Sequence, residues 1–370
     1  MNYLVIGSGI FGSTFAYEAA KRGNRVKVIE KRNHIGGNIY TKKIAGIDVH
    51  MYGAHIFHTQ MKKIWDYINR FATFNNFVNS PVANYHGHLY NLPFNMNTFH
   101  QLWGISTPKE AQTKINSQRL KLNRQPKNLE EQALFLGGPD IYNTLIKGYT
   151  EKQWGRSAKD LPAFIIRRLP FRFTYNNNYF NDPYQGIPID GYTQIIQKML
   201  KSPLIHIELN TDFFDHKSEY LNGNYDKIVY TGPIDQFFNY KLGALAYRSL
   251  KFKTEVKNVS NYQGNAVMNY TSAKIPYTRV IEHKWFEHGR GNRNQTVITH
   301  EYPQEWNRYR EPYYPVNDQK SRILYSKYVE LARQQYKNVI FGGRLGQYRY
   351  YNMDQAIMAA LELVNQICNN

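Results

Sequence analysis

The sequence predicts an α/β fold: a doubly wound parallel sheet, a helical insertion, and an antiparallel sheet late in the chain. Three observations carry this. The N-terminus reads strand, glycine-rich turn, helix, strand. From about residue 95 to 150 helix-start signatures recur and strand patterns are scarce. From about 245 to 300 short β-rich runs replace them.

Tyr3–Ile6 is an apolar run bounded by Gly7-Ser8-Gly9-Ile10-Phe11-Gly12. Phe11, Phe15, Ala16, Ala19 and Ala20 then recur at helical spacing until Gly23-Asn24. Val26, Val28 and Ile29 form the next strand, which ends at Glu30. Met61, Ile64, Trp65, Ile68 and Phe71 mark one helix face. Thr107-Pro108-Lys109-Glu110 combines a capping residue, proline in the first turn and Glu three after the cap, and Asn128 with Glu131 repeats the signature. Ile141, Tyr142, Leu145, Ile146 and Tyr149 give a further helix. Residues 165–190 carry Pro170, Pro183 and Pro188 and read as a loop with short extended pieces. Gly191-Tyr192 leads into a helix, and Lys227–Tyr230 is a strand ending in Thr231-Gly232-Pro233. Arg279-Val280-Ile281 and Gln295–Ile298 belong to the antiparallel sheet; Asn338–Phe341 precedes Gly342-Gly343-Arg344, and a last helix starts near Met353.

The 370 residues suit one or two domains with insertions, and a 42% hydrophobic content allows a sizeable core. No run of about 18 apolar residues spans a membrane. With no secretory pattern at the start and Cys368 as the single cysteine, the expected compartment is the cytoplasm. The net charge, 47 − 28 = +19, favours anionic partners. The cations are scattered, as in Lys21-Arg22, Lys62-Lys63 and Arg167-Arg168, so no specific nucleic-acid site is expected. Peripheral contact with an acidic membrane surface stays open. A basic binder of nucleic acid or membrane is the rival reading from charge alone.

Gly7-x-Gly9-x-x-Gly12 is weak alone, but it follows a strand, opens a helix, and precedes Glu30 at the end of the second strand. In that context Gly7 makes the tight turn, Gly9 admits a pyrophosphate, Gly12 lets helix and strand pack, and Glu30 accepts from a ribose. A second doublet, Gly36-Gly37, resembles flavoproteins akin to glutathione reductase and amine oxidases, which implies FAD rather than NAD.

Longer motifs separate the members of that superfamily. Glu30–Asn38, Tyr52–Thr59, Asn91–Phe99, Lys147–Gly155, Tyr230–Asp235, Glu311–Val316 and Tyr348–Tyr351 resemble, in order, those of the UDP-galactopyranose mutase family, over about residues 2–360. The resemblance implies interconversion of UDP-galactopyranose and UDP-galactofuranose, supplying galactofuranose for cell-surface glycans. Reduced FAD is the implied cofactor, its N5 the nucleophile at the anomeric carbon, with no net redox. A homodimer formed mostly through the helical part is also implied.

The same resemblance assigns residues. Arg168 and Arg279 become the diphosphate arginines, a role suited to a bidentate guanidinium. Tyr149, Tyr179, Tyr314 and Tyr350 become donors to diphosphate or sugar. Asn79, Thr150, Trp154 and Asn269 become substrate contacts, with Arg248 near the site. His55 is expected against the flavin and His58 near the sugar. Gly7, Ser8, Gly9, Phe11, Gly12, Glu30, Lys31, Gly37, Asn38, Ile56, Gly343, Arg344, Tyr351, Asn352, Met353 and Ala356 become cofactor contacts. The family usually has Asp at Asn352, and Leu145-Ile146 replaces aromatic residues that some relatives place over the uracil. His50, His55 and His58 lack the carboxylate or thiolate company of a metal site, so no metal is expected. Read from spacing alone, Trp154 and Tyr149 are ordinary helix packing and Arg168 a solvated partner of Arg167. An amine-oxidising flavoprotein is the other enzymatic reading, for which the two arginines have no use.

The expected division places the FAD domain at 1–79, 191–240 and 330–370, the helical insertion at 91–165, and the antiparallel substrate sheet at 80–90, 166–190 and 241–329.

Overall fold

The computed structural model describes residues 1–166 and 170–368. Five strands form an all-parallel sheet in the order Val339–Phe341, Lys227–Tyr230, Asn2–Ile6, Arg25–Ile29, Ile205–Glu208. The Tyr3–Ile6 and Ile228–Tyr230 stretches at its middle are continuous apolar runs because helices cover both faces. On one face Ala16, Ala19 and Ala20 of the Ile10–Lys21 helix pack with Ile357 and Ala360 of the Met353–Ile367 helix. On the other, Leu4 and Ile228 share a cluster with Tyr328 and Ala332 of the Gln319–Gln335 helix. The sheet is thus wound on both sides, as the opening motif predicts.

That last helix crosses the boundary expected between 329 and 330. Its buried Tyr328 and Ala332 belong to the parallel-sheet core, so the chain leaves the second sheet before Gln319.

The helical region holds Met96–Trp103, Pro108–Gln118, Leu129–Ile141 and Lys147–Trp154. Thr107 and Glu110 form the reciprocal cap that their spacing predicts. Asn128 caps Glu131 N as expected, but the Glu131 carboxylate turns away to Arg124, at 2.7 Å, and to Lys127 N. The helix expected through Ile141–Tyr149 is broken by a π-turn at Tyr142–Ile146.

The second sheet has seven strands, in the order Tyr314–Pro315, Tyr247–Lys257, Thr296–Glu305, Arg279–Glu282, Val267–Tyr270, Val82–Tyr85, His88–Asn91. All its pairings are antiparallel except that of Val82–Tyr85 with Val267–Tyr270. Its register aligns Asn269, Arg279 and Glu301 in one cross-strand row. Tyr184–Gly186, expected with this sheet, instead forms a separate ribbon with Phe57–Thr59. A Cβ at Gly186 would lie 2.4 Å from the Asn75 carbonyl, so that tight seat excludes any larger residue.

Candidate active site

The glycine turn builds a cradle from backbone. Gly7 has φ +103°, and a Cβ there would fall 2.2 Å from Thr231 Oγ1; a Cβ on Gly12 would fall 2.1 Å from the Gly7 carbonyl. At Gly9 a Cβ would meet nothing within 4 Å, which leaves open space before the helix N-terminus. Gly9 caps that helix without any side-chain bond to its first amides. An anionic group fits this arrangement of free N–H donors and open volume. Glu30 is buried; its Oε2 accepts from Ser8 N at 3.0 Å and Ser8 Oγ at 2.8 Å, and its Oε1 from Arg32 N at 3.1 Å.

A cavity of about 260 Å³ extends from this cradle. Gly7, Gly9, Phe11, Gly12, Glu30, Lys31, Gly37, Asn38, His55, Gly343, Arg344, Tyr351, Asn352, Met353 and Ala356 line it. Ser8 lies one layer behind, engaged with Glu30, and Ile56 lines the neighbouring cavity instead. Phe11 packs against the Gly342 backbone, where a Cβ would come within 2.3 Å of its ring. Glu311, which opens the Glu311–Val316 motif but has no role assigned by it, pairs with Lys31 and with Arg32 at the rim.

The neighbouring cavity measures about 410 Å³ and meets the first at Asn38, His55, Tyr313, Arg344, Asn352 and Met353, which line both. Together they form one extended cleft that runs from the cradle to the second cavity. His55 Nδ1 contacts the Gly53 carbonyl at 2.8 Å, and burial pushes its ring down to about 4, so it is neutral near pH 7. Arg344 donates to the carbonyls of Tyr351 (2.6 Å) and Tyr313 (3.4 Å) and lies 5.1 Å from the Tyr350 ring centre. Among the described residues no carboxylate pairs with it.

The second cavity has a polar wall from the sheet. Arg279 donates from Nη2 to Tyr149 OH at 2.7 Å, and its Nε stands 3.3 Å from Glu301 Oε1. Burial is the largest single influence and opposes the Arg279 charge, but Glu301, Tyr149 and Tyr314 together outweigh it and hold the guanidinium well above its ordinary value. Burial raises the phenols of Tyr149 and Tyr314, and pushes Tyr179 up to about 12; all three remain donors at neutral pH. Tyr314 and Tyr350 stack at 5.9 Å. Asn269 Oδ1 is buried and has no hydrogen-bond partner, an acceptor left for a ligand.

The other wall is helical. Leu145, Ile146, Tyr149, Thr150, Gln153 and Trp154 line the cavity, three pairs one turn apart. Gly148 permits the close docking, since a Cβ there would lie 2.4 Å from the Thr271 carbonyl. Lys152 locks the joint: its ammonium, with three protons to donate, sits 2.7–3.0 Å from the carbonyls of Tyr270, Ser272, Ile275 and Tyr277. The motif containing Lys152 was visible, but nothing in it showed which carbonyls would converge there. At one end Leu92, Phe94, Leu145, Ile146, Ile165 and Ile166 make the cavity apolar. Asn79 and His58 complete the lining.

Two expected substrate residues are not placed with this group. Arg248 does not line the cavity. It is buried behind the helix, donating to the carbonyls of Gln153 (2.9 Å) and Lys152 (3.4 Å), so its charge is spent on the helix C-terminus. Arg168 lies outside the described residues. Among the described residues no group of three or more His, Cys, Asp or Glu could hold a metal, and no helix is long and apolar enough to cross a membrane.

Residues 144–350 match the family model described as UDP-galactopyranose mutase, and residues 5–71 an NAD(P)-binding Rossmann-like domain. The chain is 39% identical to a probable UDP-galactopyranose mutase of Klebsiella pneumoniae, over 100% of this chain and 95% of the relative. It is 38% identical to the dTDP-fucopyranose mutase of Escherichia coli, over 99% and 98%. In fold it resembles a crystal structure of reduced UDP-galactopyranose mutase, with TM-score 0.76 at 15% identity, covering 100% of this chain and 94% of that one.

Proposed function

The chain belongs to the UDP-galactopyranose mutase family, and on that premise we propose that it interconverts UDP-galactopyranose and UDP-galactofuranose with FAD as cofactor. One observation carries the substrate class: the half-buried Arg279–Tyr149 pair beside the unpartnered Asn269 acceptor, set among phenol donors in the second cavity of the cleft. A guanidinium and several neutral phenols suit a diphosphate that must be held as it departs.

The cradle fits FAD through its open Gly9 face and buried Glu30. Lys31, Asn38, Arg344, Tyr351, Asn352, Met353 and Ala356 would hold it along the cleft, with His55 at the junction. When bound and reduced, the flavin would supply N5 as the nucleophile, with no net redox. Arg279, Tyr149, Tyr179, Tyr314 and Tyr350 would bind the diphosphate and sugar, with Arg168 as the second arginine on the strength of the resemblance. Asn79, Thr150, Trp154 and Asn269 would orient the sugar nucleotide. The single cysteine suits a reducing cytoplasm. A homodimer, and a supply of galactofuranose to surface glycans, complete the proposal.

The deciding assay incubates reduced protein with UDP-galactofuranose and follows the pyranose. Conversion over many turnovers after one reduction supports the reading; activity with oxidised flavin, or reductant consumed one-for-one with product, contradicts it. A second reading has its own support. The apolar end around Leu145, Ile146 and Ile165 could take a thymine methyl, and one close relative is a dTDP-fucopyranose mutase. A kcat/KM for dTDP-fucofuranose above that for UDP-galactofuranose would select it.

A further inference from the structure

Resting on that function, we propose that His58 and Asp182 are the proton-moving pair of the sugar rearrangement: His58 exchanges a proton with substrate and Asp182 positions it. His58 lies in the Phe57–Thr59 strand, and Asp182 lies two residues before the Tyr184–Gly186 strand paired with it. The His58 Nδ1 is bonded to the Asp182 carboxylate. The ring face stacks on Phe180 with centroids 3.7 Å apart and planes 11° from parallel. These two contacts fix the ring and occupy one nitrogen. Nε2 has no hydrogen-bond partner among the described residues, and His58 lines the same cavity as Arg279 and Asn269. The imidazole is therefore held by one nitrogen and available through the other, the arrangement that proton transfer by histidine requires.

The rearrangement needs such a group. The pyranose closes through the oxygen on C5 and the furanose through the oxygen on C4. When the C1–O5 bond breaks, its electron pair leaves with O5, which must gain a proton. When O4 bonds to C1 through a lone pair, the O4 hydroxyl must lose one. C1 is held between these events by the reduced flavin of the proposed reaction. Protonated His58 gives its Nε2 proton to O5 and then takes one from O4, returning to its starting state. Nothing is consumed, and the reverse reaction uses the same two transfers in the opposite order. Asp182 balances the ring charge while the proton is carried, and keeps Nδ1 committed so that Nε2 faces substrate. Sequence separation hid the pair: the partners are 124 residues apart.

The test compares wild type, His58→Gln, His58→Gly and Asp182→Asn as reduced flavoproteins with UDP-galactofuranose. Flavin content and UDP affinity, read by tryptophan fluorescence, report an intact site. The expected result is a fall in kcat on the order of a hundredfold for His58→Gln, with UDP affinity within about twofold of wild type. Asp182→Asn should lower kcat by less, again with UDP affinity kept. Added imidazole should raise the kcat of His58→Gly without changing its UDP affinity. The proposal is overturned if His58→Gln keeps its kcat and only KM rises, because His58 is then a binding contact. It is equally overturned if a flavin-bearing, UDP-binding His58→Gly gains nothing from imidazole. If wild type itself fails to convert the sugar, the proposed function falls and takes this inference with it; normal wild-type turnover with an unaffected His58→Gln overturns this inference alone.

Discussion

The cofactor cradle and the substrate wall share one cleft but are built by opposite means. The cradle is local and made largely of backbone: Gly7, Gly9 and Gly12 lie within six residues, and Glu30 is bound to Ser8 across two adjacent strands. The wall is non-local and made of side chains: Tyr149 and Arg279 meet across 130 residues, and Asn269, Arg279 and Glu301 come from three strands. A backbone site is broken by adding atoms. A side-chain site is broken by removing them.

The largest expected effect probes the cradle. Gly9 has φ −67° and a free Cβ direction, so Gly9→Val should fold with a stability change under about 1 kcal/mol. It should nevertheless lose nearly all flavin, from about one per chain, and with it all activity. An unchanged flavin spectrum in that variant would remove the cradle assignment. The companion variant Gly12→Val should fail to fold at all, because its Cβ would overlap the Gly7 carbonyl at 2.1 Å.

Next comes the wall. Arg279→Ala removes a ligand donor and leaves buried Glu301 without its cation. It should cost about 3–5 kcal/mol of stability and at least two decades of kcat/KM. Arg279→Lys should keep much of the stability but little of the activity, since the fork is lost. Near-normal turnover in Arg279→Lys would show that charge alone, not bidentate geometry, matters here.

A smaller effect tests the junction. The His55 pKa lies near 4 in the fold against about 6.5 when unfolded, so between those values the unfolded chain binds the extra proton. The neutral ring's advantage is fully present above pH 6.5 and is lost as pH falls toward 4. Lowering pH from 7 to 5 should cost about 2 kcal/mol through this group. Denaturant titrations of His55→Gln should show a correspondingly flatter pH dependence; an unchanged slope would mean the ring is not buried neutral.

The smallest effect lies outside both regions. Thr107→Ala should lower stability by about 1 kcal/mol by removing the reciprocal cap, with flavin content and kcat unchanged. A change in turnover would couple the insertion to the cleft and blur the contrast drawn above.

The amino-acid sequence by itself determined what depends on neighbours in the chain. The Gly7–Gly12 turn, the Thr107 cap, the opening strands and helix, and the order of family motifs all rest on short-range spacing, because turn conformation, capping and periodicity act over a few residues. It also read Asn128 as a reciprocal cap, where only half forms: Arg124 outcompetes the Asn128 backbone for the Glu131 carboxylate. Tertiary structure decided the rest. Register placed Asn269, Arg279 and Glu301 on one face, and a slip of one residue would have turned each of them away. The docking of the Lys147–Trp154 helix on the 271–278 turn brought Tyr149 to Arg279, through Gly148 and the four carbonyls held by Lys152. The same docking turned Arg248 behind the helix, where it caps carbonyls instead of facing the cavity. Composition and spacing show that a cation is present; which buried oxygens it meets is settled only when distant segments pack, because an unpaired buried charge or carbonyl is costly and each takes the partner that the packing brings within reach.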